Sequence, residues 1–251
     1  METFLKTINF NPIIIDNIKD MNPRTISVLN DLILLKDKYD QHNIETSIFS
    51  DTVKDIESRL IKNYSNSNDI NLKDSDMKWV QLVLDMKLFK IHSLRFQYFP
   101  LDYKEIERES FDAMPLSDAI KERFYEGMPL INVHIENNTD LSQAAVDRSF
   151  DMACKFFTNL FDTVEFNGFV TRTWLIYPGI VSLLNDNSNI SKFAKRFEII
   201  ASNRADYQVL SRVYGTKDLD IIATLPKNTT LEKKVFDNLN KLGVSFGYMK
   251  F

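Results

Sequence analysis

Apolar positions at Ile26, Leu29, Leu32 and Ile33 recur at helical spacing, with Asn22 placed as N-cap and Pro23 at the first helical position. A second helix is expected from Ser50 or Asp51 through Leu60, burying Val53, Ile56 and Leu60, and a third from Met77 to Lys87. Between them Asn63 to Asp76 is rich in Asn, Ser and Asp, which predicts an exposed loop. From Phe89 to Phe99 the pattern turns to one β-type run ended by Pro100. A polar connection over Asp102 to Met114 leads to a short helix, Leu116 to Tyr125, stopped at Gly127 and Pro129.

The second half alternates. Leu130 to Ile135 reads as a strand, with Ile131, Val133 and Ile135 on one side and Asn132, His134 and Glu136 on the other. A long helix is expected from Leu141, with Asp140 as N-cap, Gln143 as return partner of a capping box, and an apolar stripe of Leu141, Ala145, Met152, Phe156 and Leu160 flanked by a second row, Ala144, Ala153, Phe157 and Phe161. Phe166 to Tyr177 reads as strand, Ile180 to Leu184 and Ile190 to Ala201 as helix, and Tyr207 to Tyr214 as strand. Thr229 and Glu232 form a capping box for a helix burying Leu231, Val235, Leu239 and Leu242 and stopping at Gly243; Val244 to Phe251 is the last strand. This order predicts an α/β fold, a mixed central sheet with flanking helices, preceded by a mostly helical N-terminal region. The division is expected at 1–112 and 113–251.

Composition narrows the function. The 251 residues are 44% hydrophobic and 26% charged, enough apolar material for a packed core. With 31 Lys and Arg against 35 Asp and Glu the net charge is −4, which argues against nucleic acid as a partner. Cys154 is the single cysteine, so an internal disulfide and a cysteine zinc cluster are excluded. No apolar run approaches the roughly 20 residues of a membrane span, and Met1-Glu2-Thr3 lacks the basic-then-apolar plan of a secretory signal. A reduced, cytoplasmic protein is the simplest reading. Only six glycines occur, and neither a GxGxxG nor a GxxxxGK[ST] run is present.

The unit from Leu130 to Phe161 sets a helix N-terminus beside a strand end, where free N–H groups can hold an anion such as a diphosphate; a plain connecting turn is the commoner use. His134 could take a proton near neutral pH, and Glu136 could do so through a water, though a lone strand histidine more often belongs to the core. Tyr177 could lend a phenol as general acid or serve as a capping aromatic. Arg172 falls on the face of Val170, Trp174 and Ile176, at the rim or toward a ligand. Cys154 reads as a buried structural thiol. Ser149 lacks a GxSxG elbow, and no HxH or HxxxH run supports a metal site.

Six strings in order carry a family resemblance. Phe89 to Gln97 resembles "lfrLGrLqFe", and Leu130 to Ile135 resembles "lhIP". Val146-Asp147-Arg148-Ser149 with Ala153, Phe156 and Phe157 resembles "avdxSlxxAxxFF". Thr173-Trp174-Leu175-Ile176 with Pro178 resembles "SWLLdP", and Ser188-Asn189-Ile190 with Phe193, Arg196 and Phe197 resembles "SNIxxFxxRF". Leu225-Pro226 with Thr229 and Leu231 resembles "LPxxTsLqR". These strings belong to two-part N-acyltransferases with a helical N-terminal region and a GNAT-like C-terminal domain. The resemblance implies transfer of an acyl group from acyl-CoA or acetyl-CoA, a co-substrate and not a tightly bound cofactor, to a small-molecule or peptide amine. It implies a donor lying along Leu130 to Ile135, contacted at Val133 and Ile135, with its diphosphate near Asn137, Asn138, Thr139 and Leu141. It assigns His134 or Glu136 as base, with Tyr177 as the candidate acid. Asn137 and Asn138 stand where the family's loop carries glycines and Tyr177 where it carries an acid, which leaves open an inactive ligand- or protein-binding module.

Overall fold

The computed structural model describes residues 1–107 and 113–251 and divides into two compact units, Met1–Gln97 and Tyr98–Phe251. The expected polar connection over 102–114 lies partly outside the described residues, and so does the expected division after residue 112.

The first unit opens with two short helices, α1 (Glu2–Thr7) and α2 (Pro12–Asp16), followed by α3 (Pro23–Gln41). Asn22 caps α3 as expected, its side-chain oxygen accepting from the Thr25 N–H at 2.8 Å. The buried row of α3 is Val28, Leu29, Leu32, Leu35 and Tyr39, so Ile26 and Ile33 lie at its margin, half-buried. Helix α4 (Thr46–Ser67) starts earlier than expected and runs on through the first part of the expected loop. The reason is Asn63. It is 6% exposed, and its amide donates to the Asn71 carbonyl at 2.9 Å and to Asp76 at 3.3 Å, so a polar residue is drawn inward with its donors satisfied. Since α5 (Asp74–Leu84) also starts early, only residues 68–73 remain as the loop.

The expected single strand from Phe89 to Phe99 is a hairpin: β1 (Leu88–Ile91) and β2 (Leu94–Pro100) pair antiparallel, Leu88 opposite Gln97 and Ile91 opposite Leu94. The turn is His92-Ser93, with His92 at φ 56°. Neither residue is a glycine, and the flanking apolar residues hide the two-residue turn.

The second unit contains α6 (Tyr103–Glu107), α7 (Asp118–Arg123), β3 (Pro129–His134), α8 (Gln143–Leu160) and β4 (Gly168–Thr173). These are followed by α9 (Pro178–Val181), α10 (Asn189–Ala194), β5 (Glu198–Asn203), α11 (Tyr207–Tyr214), α12 (Leu219–Thr224), α13 (Thr230–Phe236) and β6 (Val244–Lys250). The sheet is mixed, in the order β1-β2-β3-β4-β6-β5, and β2 itself crosses the division at Gln97. Strands β3 and β4 are parallel, while β6 is antiparallel to both β4 and β5. The expected fold class, a mixed sheet with flanking helices behind a helical N-terminal region, is the one observed.

Three segments depart from the reading of the sequence. Tyr207–Tyr214 is a helix, because Val209, Leu210, Val213 and Tyr214 pack at helical spacing and Gly215 at φ 75° supplies a left-handed C-cap. The expected helix to Ala201 ends at Ala194, and residues 198–203 pair with β6 across a bulge at Ile199/Ala201. The strand expected to reach Tyr177 ends at Thr173, whose hydroxyl accepts from the Leu175 N–H at 3.3 Å and starts a 3-10 turn, Trp174–Ile176.

One face of the sheet carries Leu130, Val170, Val244 and Phe246 into a core with Phe124, Val209, Leu210 and Val235. The other face takes α8, where Phe150 meets Phe169 edge-on with centroids 4.8 Å apart. The buried residues of α8 are Ala145, Val146, Ser149, Phe150, Ala153 and Phe157, so Ala145 and the expected flanking residues Ala153 and Phe157 are seated, while Met152 and Phe156 of the expected stripe are only half-buried.

Candidate functional site

Two parallel strands cannot be joined by a hairpin, so β3 and β4 are connected by α8 as a crossover. In open α/β sheets ligands sit beyond the carboxyl ends of such strands. Here that end is formed by His134, the loop 135–142 and the first turn of α8.

The β3–β4 ladder is registered at Ile131 opposite Phe169 and Asn132 opposite Val170. One residue on, the link changes kind: the Thr171 hydroxyl donates to the Val133 carbonyl at 2.8 Å. Thr171 is fully buried, so this hydroxyl is satisfied at no cost in exposed surface.

The loop is built from short-range contacts. Glu136 offers its carbonyl to the Thr139 hydroxyl at 2.8 Å. Asn138 sits at φ 61°, a left-handed position that asparagine tolerates better than most residues, so the loop turns without the expected glycine. The expected capping box is absent. Ser142 is the N-cap of α8, and Asp140 instead accepts from the Ser142 N–H at 2.8 Å, an Asx turn that leads into the helix. The first N–H groups of α8 have no acceptor within the helix and carry its positive dipole end.

Val133 is buried in β3, whereas His134, Ile135, Glu136, Thr139 and Leu141 are half-buried and Asn137 and Asn138 exposed. These eight residues form one continuous rim at the end of β3. Tyr177 stands elsewhere, after the 3-10 turn that follows β4, with its ring against two glycines. A Cβ on Gly243 would come within 2.4 Å of its Cζ, and one on Gly179 within 2.7 Å of its Cε1. Gly243 leads into β6, which lies on the far side of β4 from β3, two strand spacings or about 10 Å away.

Arg212 of α11 is a member of this rim that the sequence did not disclose, because its segment reads as a strand. Its guanidinium donates to the Asn137 side-chain oxygen at 3.3 Å, bringing one cation to a loop that also carries Glu136 and Asp140. Arg172 donates to the Glu105 carbonyl at 3.1 Å. Cys154, expected buried, is half-buried; burial pushes its thiol up and Asp151 adds to the shift. Among the described residues no cluster of His, Cys, Asp or Glu could hold a metal ion, and no helix is long and apolar enough to cross a membrane.

The sequence profile of the family described as the GNAT-like C-terminal domain matches residues 64–249. A search of curated proteins gives no match. Among solved structures, an acyltransferase in complex with decanoyl-CoA and teicoplanin is similar over 89% of this chain at 17% identity, with a TM-score of 0.69. An acyltransferase in complex with CoA and 10C-teicoplanin is similar over 89% at 16% identity, with a TM-score of 0.68. The chain spans 64% of the length of each of these structures, and at such identities the likeness is one of fold.

Proposed function

Because the chain belongs to the family of the GNAT-like C-terminal domain, we propose that it is an acyl-CoA-dependent N-acyltransferase whose donor site is the rim at the end of β3. The observation that carries this reading is the parallel β3–β4 pair, its last registered pair followed by the Thr171–Val133 side-chain link, directly before a loop and the N-terminus of α8. In this reading the thioester arm lies along the end of β3, contacted at Val133 and Ile135. The α8 N-terminus and the loop at Asn137, Asn138, Thr139 and Leu141 then face the diphosphate, with Arg212 adding charge.

In this reading an amine, small-molecule or peptide, gives a proton to His134 or, through a water, to Glu136. Its lone pair attacks the thioester carbonyl, a backbone N–H stabilises the oxyanion, and collapse breaks the C–S bond. The thiolate leaves with a proton, for which Tyr177, after the 3-10 turn that follows β4, is the candidate donor. The soluble acyl-CoA acts as co-substrate in the cytoplasm, with no tightly bound cofactor.

Thermal unfolding against acetyl-CoA, octanoyl-CoA, decanoyl-CoA and free CoA tests the donor site. A donor that binds the folded chain adds about 2.7 kcal/mol of stability at a hundred times its dissociation constant. A concentration-dependent rise in midpoint supports the reading; no rise with any of the four overturns it. Thiol release with a panel of amines then separates turnover from the second reading, an inactive binding module, which the exposed asparagines in place of glycines favour. Donor binding without thiol release on any amine would select that module.

A further inference from the structure

Resting on the donor site above, we propose that Asn132 is a binding residue for the donor's thioester arm, its carboxamide oxygen accepting a hydrogen bond from an amide N–H of that arm. Asn132 is the last registered residue of β3 in its pairing with β4, immediately before the Thr171–Val133 link. Its side-chain oxygen is buried and accepts no hydrogen bond among the described residues. Leaving such an oxygen unsatisfied is costly, and a leucine of nearly the same shape would avoid the cost. The flanking positions follow that rule, since Leu130, Ile131 and Val133 are apolar and buried. A carboxamide among them is best accounted for by a donor that arrives with the ligand.

Position along the strand selects which part of the ligand that is. Asn132 precedes Asn137 by five residues, about 16 Å of extended chain. The extended arm between the diphosphate and the sulfur of a CoA thioester is of comparable length. With the diphosphate at residues 137–141, the sulfur end of the arm reaches Asn132, and the N–H donor within range of its carboxamide is the secondary amide next to the sulfur. The sulfur and the thioester carbonyl can only accept.

The test compares binding of free CoA with binding of adenosine 3′,5′-bisphosphate, which lacks the arm, by calorimetry on the full chain and on Asn132→Leu and Asn132→Ala. Asn132→Leu is expected to bind CoA about tenfold more weakly, to bind the bisphosphate as the parent does, and to unfold at the same or a higher temperature. Asn132→Ala, which keeps the selective loss without requiring a leucine to fit, is expected to show the same split. If CoA affinity is unchanged, or if both ligands weaken together, Asn132 has a structural role and the inference fails while the donor site stands. If the parent chain binds neither ligand, the donor site itself fails.

Discussion

Thr171 is a polar side chain set in a run of buried strand residues, and its hydroxyl links β4 to β3 through the Val133 carbonyl. Thr171→Val keeps the shape and removes that bond, leaving the Val133 carbonyl without it. The expected cost is about 1 kcal/mol, read as a lower unfolding midpoint. Gly243 has a different task. A Cβ there would meet the Tyr177 ring at 2.4 Å and the Asn203 carbonyl oxygen at 2.7 Å. Gly243→Ala must shift backbone or ring, so we expect a loss of about 1–3 kcal/mol in denaturant unfolding. On the catalytic side, His134→Ala and Glu136→Gln should between them lower turnover by about a hundredfold with donor binding retained. Full turnover in both variants would remove these residues from the mechanism.

Helices α4 and α5 are held together by charge as well as by apolar packing. Arg59 bonds to Asp55 at 2.6 Å and to Asp76 at 2.8 Å, and its guanidinium lies 5.5 Å from the centre of the Trp79 ring. Burial alone would raise the Asp76 carboxyl, but the Lys73 N–H, Arg59 and Asn63 outweigh it and hold it below its ordinary value of 3.8. A carboxyl lowered on folding contributes stability that is fully present above its unfolded value and lost as pH falls through its folded value. Unfolding midpoints measured downward from neutral pH should therefore fall less steeply in acid for Asp76→Asn than for the parent. At α13 the capping box is complete, Thr229 accepting from the Glu232 N–H at 3.1 Å while Glu232 accepts from the Thr229 N–H at 2.6 Å. Thr229→Ala should cost about 1 kcal/mol by thermal unfolding.

In the second unit the last strand of the chain is an inner one, because β6 pairs with β4 from Thr173 opposite Ser245 to Gly168 opposite Lys250, and with β5 on its other edge. Neither ladder can close until residue 244 and beyond are available, and such long-range pairing makes folding slow. A chain ending at Leu242 is expected to lose its cooperative unfolding transition and its near-ultraviolet circular dichroism. Retention of both would show that β6 is dispensable. The same strand explains why β5 was not legible: Glu198 to Asn203 has no clean alternation, and its partner lies more than forty residues later in the chain.

By itself the sequence determined the features that depend on neighbours a few residues apart. The Asn22 cap, the Thr229–Glu232 box, the β3 alternation and the order of strand and helix that implies a mixed sheet are all local chemistry. It also carried the six strings that point to the family, and with them the continuous rim from Val133 to Leu141. Tertiary structure decided what local pattern leaves degenerate. An eight-residue apolar segment such as Tyr207–Tyr214 fits either period, and packing of Val209 and Leu210 into the core made it a helix, which carried Arg212 to Asn137. Which row of α8 is buried depended on the sheet beneath it, where Phe169 receives Phe150 and the Ser149 hydroxyl bonds back to the Ala145 carbonyl at 2.8 Å. The Thr171–Val133 link and the unsatisfied oxygen of Asn132 depend on two strands meeting across a crossover, a relation that no spacing along one chain can express.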